Sequence, residues 1–337
     1  MKKIAIAVLV VVPLSAAAAF YFAVRYLDQP LPITEPVIYK IPAGTALNRV
    51  AADLEERGLI THPRLFALYG RWEAAADRIK AGEYRIEPGQ TPAGLFEQFV
   101  SGRVLLHSVT LVEGWTFRQA VDAIRQHEAV TVTSDQMTDN EIARVLGLET
   151  ESPEGWLLPD TYLFPRDTTD LALMEMAARA MKETLALTWE EREQGLPLES
   201  PYEVLILASI VEKETGLAAE RSRIAGVFVR RLQRGMRLQT DPTVIYGLGD
   251  SFDGNLRRRD LTRDTPYNSY TRHGLPPTPI ALPGREALTA SVRPADEEAL
   301  YFVATGAGDG SHYFSATLEE HNRAVARYLA RLREQKD

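Results

Sequence analysis

The 337-residue chain contains no cysteine. That absence excludes disulfides, thiolate metal sites, cysteine nucleophiles and a lipid-modified N-terminal Cys. It leaves the redox compartment open, because an exported protein need not use disulfides. A basic excess is missing as well: 38 Lys+Arg stand against 46 Asp+Glu, a formal net charge of -8. No nucleic-acid partner is therefore expected, since dedicated binders carry a positive excess. The six histidines, His62, His107, His127, His273, His312 and His321, show no metal-ligand spacing, so no metal is expected. No Ser occupies a nucleophile elbow and no phosphate-binding loop leads into a helix, so no cofactor is expected either. What remains is ordinary globular composition, 45% hydrophobic and 25% charged, in a chain long enough for about two domains.

Met1-Lys2-Lys3 precedes an uncharged run of 21 residues from Ile4 to Val24. At about 1.5 Å per residue this run makes roughly 30 Å of helix, the thickness of a bilayer core. It shows no polar face, unlike a core helix of that length. The expectation is an uncleaved transmembrane helix in residues 1–27, its N-terminus cytoplasmic by Lys2 and Lys3 and the rest exported. A cleavable signal peptide is the competing reading, with Ile4 to Leu14 as apolar core and Ala16 to Ala19 as cleavage residues. The apolar run continues through Phe20 to Val24 past those alanines, which favours the anchor. Pro30, Pro32 and Pro36 make residues 28–37 a stiff linker.

A weak internal repeat follows. Tyr39-Lys40-Ile41, Tyr84-Arg85-Ile86 and Val109-Thr110-Leu111 each lead through a Gly turn and a Thr (Thr45, Thr91, Thr116) into an amphipathic helix. Three loose copies do not make a solenoid. They predict small α+β modules, the first over residues 38–102. Further on, the spacing predicts a helix over residues 171–187. It also predicts a strand pair over residues 300–305 and 312–315, joined by a Gly-rich hairpin loop rather than a phosphate cradle, and a final helix opened by the Thr317–Glu320 capping box. The fold class is α+β.

The best-defined helix opens at Ser200-Pro201-Tyr202-Glu203 and runs to Glu212-Lys213-Glu214-Thr215, with Gly216 as a stop. At about 100° per residue, Glu214 lies roughly 50° from the centre of the apolar face, Glu212 about 110° away and Lys213 nearly opposite. A carboxyl on the apolar side loses hydration and sits near the negative helix end, and both raise its pKa. Such a group can serve as a general acid near neutral pH; the plain alternative is a helix-margin Glu paired with an arginine. Two other segments are rich in amide, hydroxyl and aromatic groups: Arg237 to Thr243 with Tyr246, and Thr265 to Tyr270 with Gly274 to Pro277. Sugar sites use such groups, and so do ordinary turns. Between Arg221 and Arg272 stand eleven arginines and five aspartates, either a salt-bridged face or a surface for a polyanion.

Four motifs in order carry a resemblance over nearly the whole chain. Glu154-Gly155-Trp156-Leu157-Leu158-Pro159-Asp160-Thr161-Tyr162, Ala208 to Thr215, Gln239 to Thr243, and Tyr267-Asn268-Ser269-Tyr270 with Gly274-Leu275-Pro276-Pro277 resemble the YceG-like (MltG) endolytic murein transglycosylases. The resemblance implies a LysM-like module at residues 38–102 and an α+β catalytic domain at 103–337. It implies one catalytic acid, which maps onto Glu214, with Gln239, Tyr267, Asn268 and Glu154 holding substrate and no cofactor. The implied reaction cleaves the MurNAc–GlcNAc bond of nascent peptidoglycan strands and leaves a 1,6-anhydroMurNAc end, which terminates elongation. The implied setting is the inner membrane with a periplasmic catalytic domain, beside peptidoglycan synthases (penicillin-binding proteins).

Glu212 and Glu214 cannot act as the two flanking carboxylates of an ordinary glycosidase, because residues two apart on a helix diverge. A transglycosylase needs only one: protonated Glu214 donates to the leaving oxygen, then takes the proton of the muramic 6-hydroxyl as it closes on C1. The alternatives are a hydrolytic muramidase using Asp241 or Asp160 as base, and a non-catalytic glycan-binding scaffold.

Overall fold

Two copies of the strand–turn–helix repeat close on each other. The computed structural model describes residues 2–334, with side chains from Val12 onward, and the chain divides into two compact units. The first contains residues 1–107 and 163–167, the second residues 108–162 and 168–337. In the first unit, helix α1 (Lys2–Leu27) precedes β1 (Val37–Ile41), α2 (Leu47–Glu56), α3 (Pro63–Trp72), β2 (Gly82–Ile86) and α4 (Pro92–Ser101). Strands β1 and β2 pair antiparallel with Tyr39 opposite Tyr84. Their inward residues join Leu54, Phe66, Leu95 and Phe99 in one core. Burying a side chain such as Phe66 or Phe99 stabilises by about 1.5–3 kcal/mol. Thr91 caps α4 through the Gly94 N–H (3.1 Å). In the first copy Thr45 does not cap; Ala46 takes that position without a side-chain bond.

The anchor expected over residues 4–24 is corrected here. Among the described residues, no helix is long and apolar enough to cross a membrane. The last turns of α1 are committed to packing. Tyr26 is buried, and the rings of Phe22 and Tyr26 meet His62 at 5.3 and 5.1 Å. The inner-membrane localisation built on that anchor falls with it. Lys2, Lys3 and the run from Ile4 to Val11 lie outside the residues whose side chains are described.

Strands β3 (Leu106–Thr110) and β5 (Thr161–Pro165) each contain a point where the chain passes from one unit to the other. The second unit holds α5 (Phe117–Arg125), β4 (Val130–Thr131), α6 (Asp139–Val145), β6 (Thr168–Thr169) and α7 (Asp170–Glu190). It continues through α8 (Pro201–Glu214), α9 (Ala218–Gln233), α10 (Asp241–Leu248), α11 (Arg258–Thr262) and α12 (Arg285–Val292). A hairpin of β7 (Tyr301–Ala304) and β8 (His312–Ser315) leads into α13 (Leu318–Glu334). Helix α8 is the centre of this unit. Every residue from Val204 to Val211 is buried, against α7, α9, α10 and α12. The single apolar face expected for α8 is thus replaced by burial all round, which is the pattern of a core helix.

Asp170, fully buried at the start of α7, ties the β4 region to that helix. Its carboxylate accepts from Thr133 N and Oγ1 (both 2.8 Å), Ser134 Oγ, Leu171 N (3.0 Å) and Arg125 Nε (3.3 Å). Burial alone would raise its pKa, but the Ser134 and Thr133 hydrogen bonds bring it down to about 2. Because that value lies below the unfolded one, the stabilisation is complete above about pH 4 and fades as pH falls toward 2; it amounts to about 2 kcal/mol. Asp170→Ala should lower stability at pH 7 by at least about 2 kcal/mol, measured by chemical denaturation. The variant's stability should vary less than the wild type's between pH 4 and 2, and a parallel acid profile would count against this account.

Candidate active site

The last turn of α8 sends three consecutive side chains in three directions. Glu212, largely buried, meets Arg221 (3.3 Å) and accepts from the Gly284 N–H (2.9 Å). Exposed Lys213 donates to the Gly114 carbonyl (3.0 Å). Glu214 turns into a cavity of about 540 Å³, where it accepts a hydrogen bond from the Thr240 hydroxyl. The helix ends because Thr215 is extended (φ -147°, ψ 136°), one residue before the glycine that the sequence offers as a stop. One turn earlier, Ser209 Oγ bonds the Ile206 carbonyl (2.7 Å) and accepts from Ile280 N–H (3.0 Å), holding a distant loop against α8.

Burial pushes the Glu214 carboxyl up to about 7. The Thr240 hydrogen bond opposes that rise, the Asp241 carboxylate adds to it, and the His312 imidazole acts against it. A carboxyl at that value is divided between acid and base forms near neutral pH, as a group that first gives and then takes a proton requires.

Two loops form the rest of the cavity. Gln239, Thr240, Asp241 and Tyr270 line it with Glu214 and Arg231. Gln239 has a left-handed backbone (φ +52°), rare for a residue with a Cβ and worth on the order of 1 kcal/mol of strain. Ser269 joins the loops, its hydroxyl accepting from Thr240 N–H (3.0 Å) and meeting Thr243 Oγ1 (2.8 Å). Tyr270 donates to Asp241 Oδ1 (2.6 Å). Buried Arg231 donates to the carbonyls of Leu300 (2.7 Å) and Leu238 (2.8 Å), which braces the loop leading into Gln239.

The other residues expected to hold substrate lie apart from that lining. Asn268 is buried: its Nδ2 donates to the carbonyls of Asp260, Leu261 and Arg263, and its Oδ1 accepts from Tyr270 N–H (2.9 Å). It shapes the loop from behind. The Tyr267 hydroxyl pairs with Thr278 (2.9 Å), and its ring lies edge-on to Tyr246 (5.0 Å). Glu154 lines a separate groove of about 710 Å³ with Lys213, Pro242, Ile245 and Tyr246. Its Oε1 accepts from Phe117 N–H (2.8 Å) and Gly155 N–H (3.3 Å), and its Oε2 from Tyr246 OH (3.1 Å). Burial raises Glu154 to about 7 against the pull of those donors. The next residue must be glycine. Gly155 has φ +82°, and a Cβ there would stand 2.5 Å from Pro279. Asp160, the alternative base, is exposed in the turn before β5 and accepts from its neighbour Thr161 N–H (2.7 Å).

Sequence reasoning misses Thr240 as the partner of Glu214, and it does not foresee that Glu212, off the apolar face of its helix, is enclosed by tertiary contacts. The signal for Glu212 is its distant partner Arg221, also held by Glu286 and, at 3.5 Å, by Glu113. Burial and the neighbouring Glu212 push Glu113 up. The arginine-rich stretch is mostly committed internally: Arg223 to Glu297 (2.8 Å), Arg257 to Asp253 (2.6 Å) and Arg272 to Asp264 (2.9 Å). Among the described residues, no three His, Asp or Glu side chains are grouped to hold a metal ion.

Comparison with known proteins matches residues 39–327 to the YceG-like family. An endolytic murein transglycosylase of Bacillus subtilis (strain 168) is 30% identical over 308 residues, covering 86% of this chain and 84% of its own length. One from Streptococcus pneumoniae (strain ATCC BAA-255 / R6) is 29% identical over 366 residues, covering 97% of this chain and 65% of its own. The crystal structure of a yceG-like protein from Listeria monocytogenes superposes with a TM-score of 0.54 at 29% identity, covering 86% of this chain and 99% of that one. With a family match that spans residues 39–327, most of its length, the chain belongs to the YceG-like family.

Proposed function

We propose that this protein is a peptidoglycan lytic transglycosylase, a lyase that cuts the MurNAc–GlcNAc bond within glycan strands and leaves a 1,6-anhydroMurNAc end. One observation carries the reading: the Glu214 carboxyl, desolvated and raised to about 7, opens on a cavity lined by the polar groups of Gln239, Thr240 and Tyr270. The murein transglycosylases among its relatives supply the substrate class. Protonated Glu214 donates to the oxygen linking the two sugars, and GlcNAc leaves. The Thr240 hydroxyl then stabilises the carboxylate, which removes the proton of the muramic 6-hydroxyl as that oxygen bonds to C1. The proton returns to Glu214 and no water is consumed. Gln239 and Tyr270 face the substrate with amide and hydroxyl groups, while Asn268 and Tyr267 hold their loop in place. The strand–helix–helix–strand run from β1 to β2 supports reading residues 38–102 as a LysM-like glycan-binding module, with the catalytic domain at 103–337.

The direct test is the product. Mass spectrometry of digested glycan should find ends lighter by one water than hydrolysed ends, without label from heavy-oxygen water. Labelled reducing ends would assign hydrolysis instead, with Asp241, which lines the same cavity, as the base.

Glu214→Gln should reduce turnover by about 10³-fold or more while leaving thermal stability intact, since Gln fills the site but carries no acidic proton. Glu212→Gln should instead destabilise by about 2 kcal/mol or more, because it removes a charge facing buried Arg221. The opposite pattern would place the acid at the wrong glutamate.

Activity that needs protonated Glu214 should decline as pH rises through about 7. Thr240→Val removes a hydrogen bond that favours the ionised form, so the alkaline limb of kcat/KM should move to higher pH. A limb that stays in place would show that another group controls it.

A further inference from the structure

We infer that the groove lined by Lys213 and Tyr246 receives the acidic peptide borne by the glycan, with the Lys213 ammonium taking one of its carboxylates. The inference rests on the transglycosylase reading of Glu214. In murein the reacting sugar carries three things on one ring: the bond to be cut at C1, the attacking 6-hydroxyl, and the lactyl group from which the peptide extends. An acid on one wall of the site obliges the peptide to run along a neighbouring wall. Here the neighbouring wall is built. Thr240 and Asp241 face the Glu214 cavity, whereas the following residues of α10, Pro242, Ile245 and Tyr246, face the groove. Lys213, next in the chain to Glu214, stands at the groove.

Lys213 is suited to a guest. It is exposed, it spends one N–H on the Gly114 carbonyl, and among the described residues no carboxylate lies within ion-pairing distance of it. Two donors remain for an incoming anion. The groove holds about 710 Å³, more than the 540 Å³ around Glu214, and its apolar lining of Phe117, Ile245, Tyr246 and Ile280 suits the alkyl parts of a short peptide. The acids there are partly neutralised: Asp250 faces Arg118 (3.4 Å), and Glu154 is turned onto backbone N–H groups and Tyr246. Asp139 remains, and it shares the groove lining with the two cations Arg118 and Lys213.

The test uses the full chain and two ligands differing only in charge: muramoyl-L-alanyl-D-isoglutamine with its free carboxylate, and the same compound with that group amidated. Wild type should bind the acid about tenfold more tightly in an NMR titration. Lys213→Met should bring the ratio close to one, and Lys213→Arg should keep most of it. Equal affinities in the wild type, no binding of either compound, or a ratio that survives in Lys213→Met would each overturn the inference. Neither ligand contains a bond to be cut, so the result is independent of the product analysis. A tenfold ratio beside labelled hydrolytic ends would sink the anhydro mechanism and leave the peptide groove standing.

Discussion

Burial of α8 on all sides is the constraint on which the second unit turns. A helix whose residues from Val204 to Val211 are all enclosed cannot shift without disturbing four others. Protein cores are packed closely enough that small displacements are resisted. The final turn of that helix therefore emerges at a defined place and angle. Glu212, Lys213 and Glu214 then reach three separate partners: the Arg221 and Gly284 region, the Gly114 turn, and the Thr240 loop. The last faces the cavity that Gln239, Thr240, Asp241 and Tyr270 line.

Placing an acid at the end of such a helix has an electrostatic consequence. Burial removes water from the Glu214 carboxyl, and the nearby helix C-terminus favours no negative charge there. Thr240 limits the rise by offering one hydrogen bond, so the group sits near 7 rather than being locked in its neutral form. The strained backbone at Gln239 and the Ser269 link between loops belong to the same arrangement. Strain of that kind persists where surrounding contacts over-determine the conformation. Glu154 reaches a similar value by a different balance, since three donors oppose its desolvation and its role is to tie α5, α10 and the Gly155 turn together.

Several features were legible in the sequence because their causes are local. The cap and the proline that open α8, the N-cap at Thr116, and the hairpin around Gly306 to Ser311 depend on neighbours a few residues away. Glu214 stood out for a related reason, as a carboxyl near the apolar residues of its own helix. Glu212 was placed off the apolar face by periodicity, and its enclosure comes from Arg221 and the Gly284 loop, which helical periodicity does not contain. Asn268 was read as a substrate contact because amides serve sugars and turns alike, and only its buried partners show which use is made here. The N-terminal run was read from hydropathy alone, and the packing of Phe22 and Tyr26 on His62 lies beyond what hydropathy measures.

The sequence by itself determined the α+β class, the helix that carries Glu214, and four ordered motifs specific enough to identify a family. Composition, capping and periodicity are properties of short stretches of chain, and they survive in one dimension. Tertiary structure decided which residues share the cavity. It brought Thr240 and Tyr270 to Glu214, turned Asn268 away, and set Glu154 in a groove of its own. It also paired β1 with β2, a repeat relationship that the copies alone left open. These outcomes depend on contacts between residues far apart in the chain, and on which polar groups lose water when those contacts form. Neither is encoded in any window of neighbouring residues.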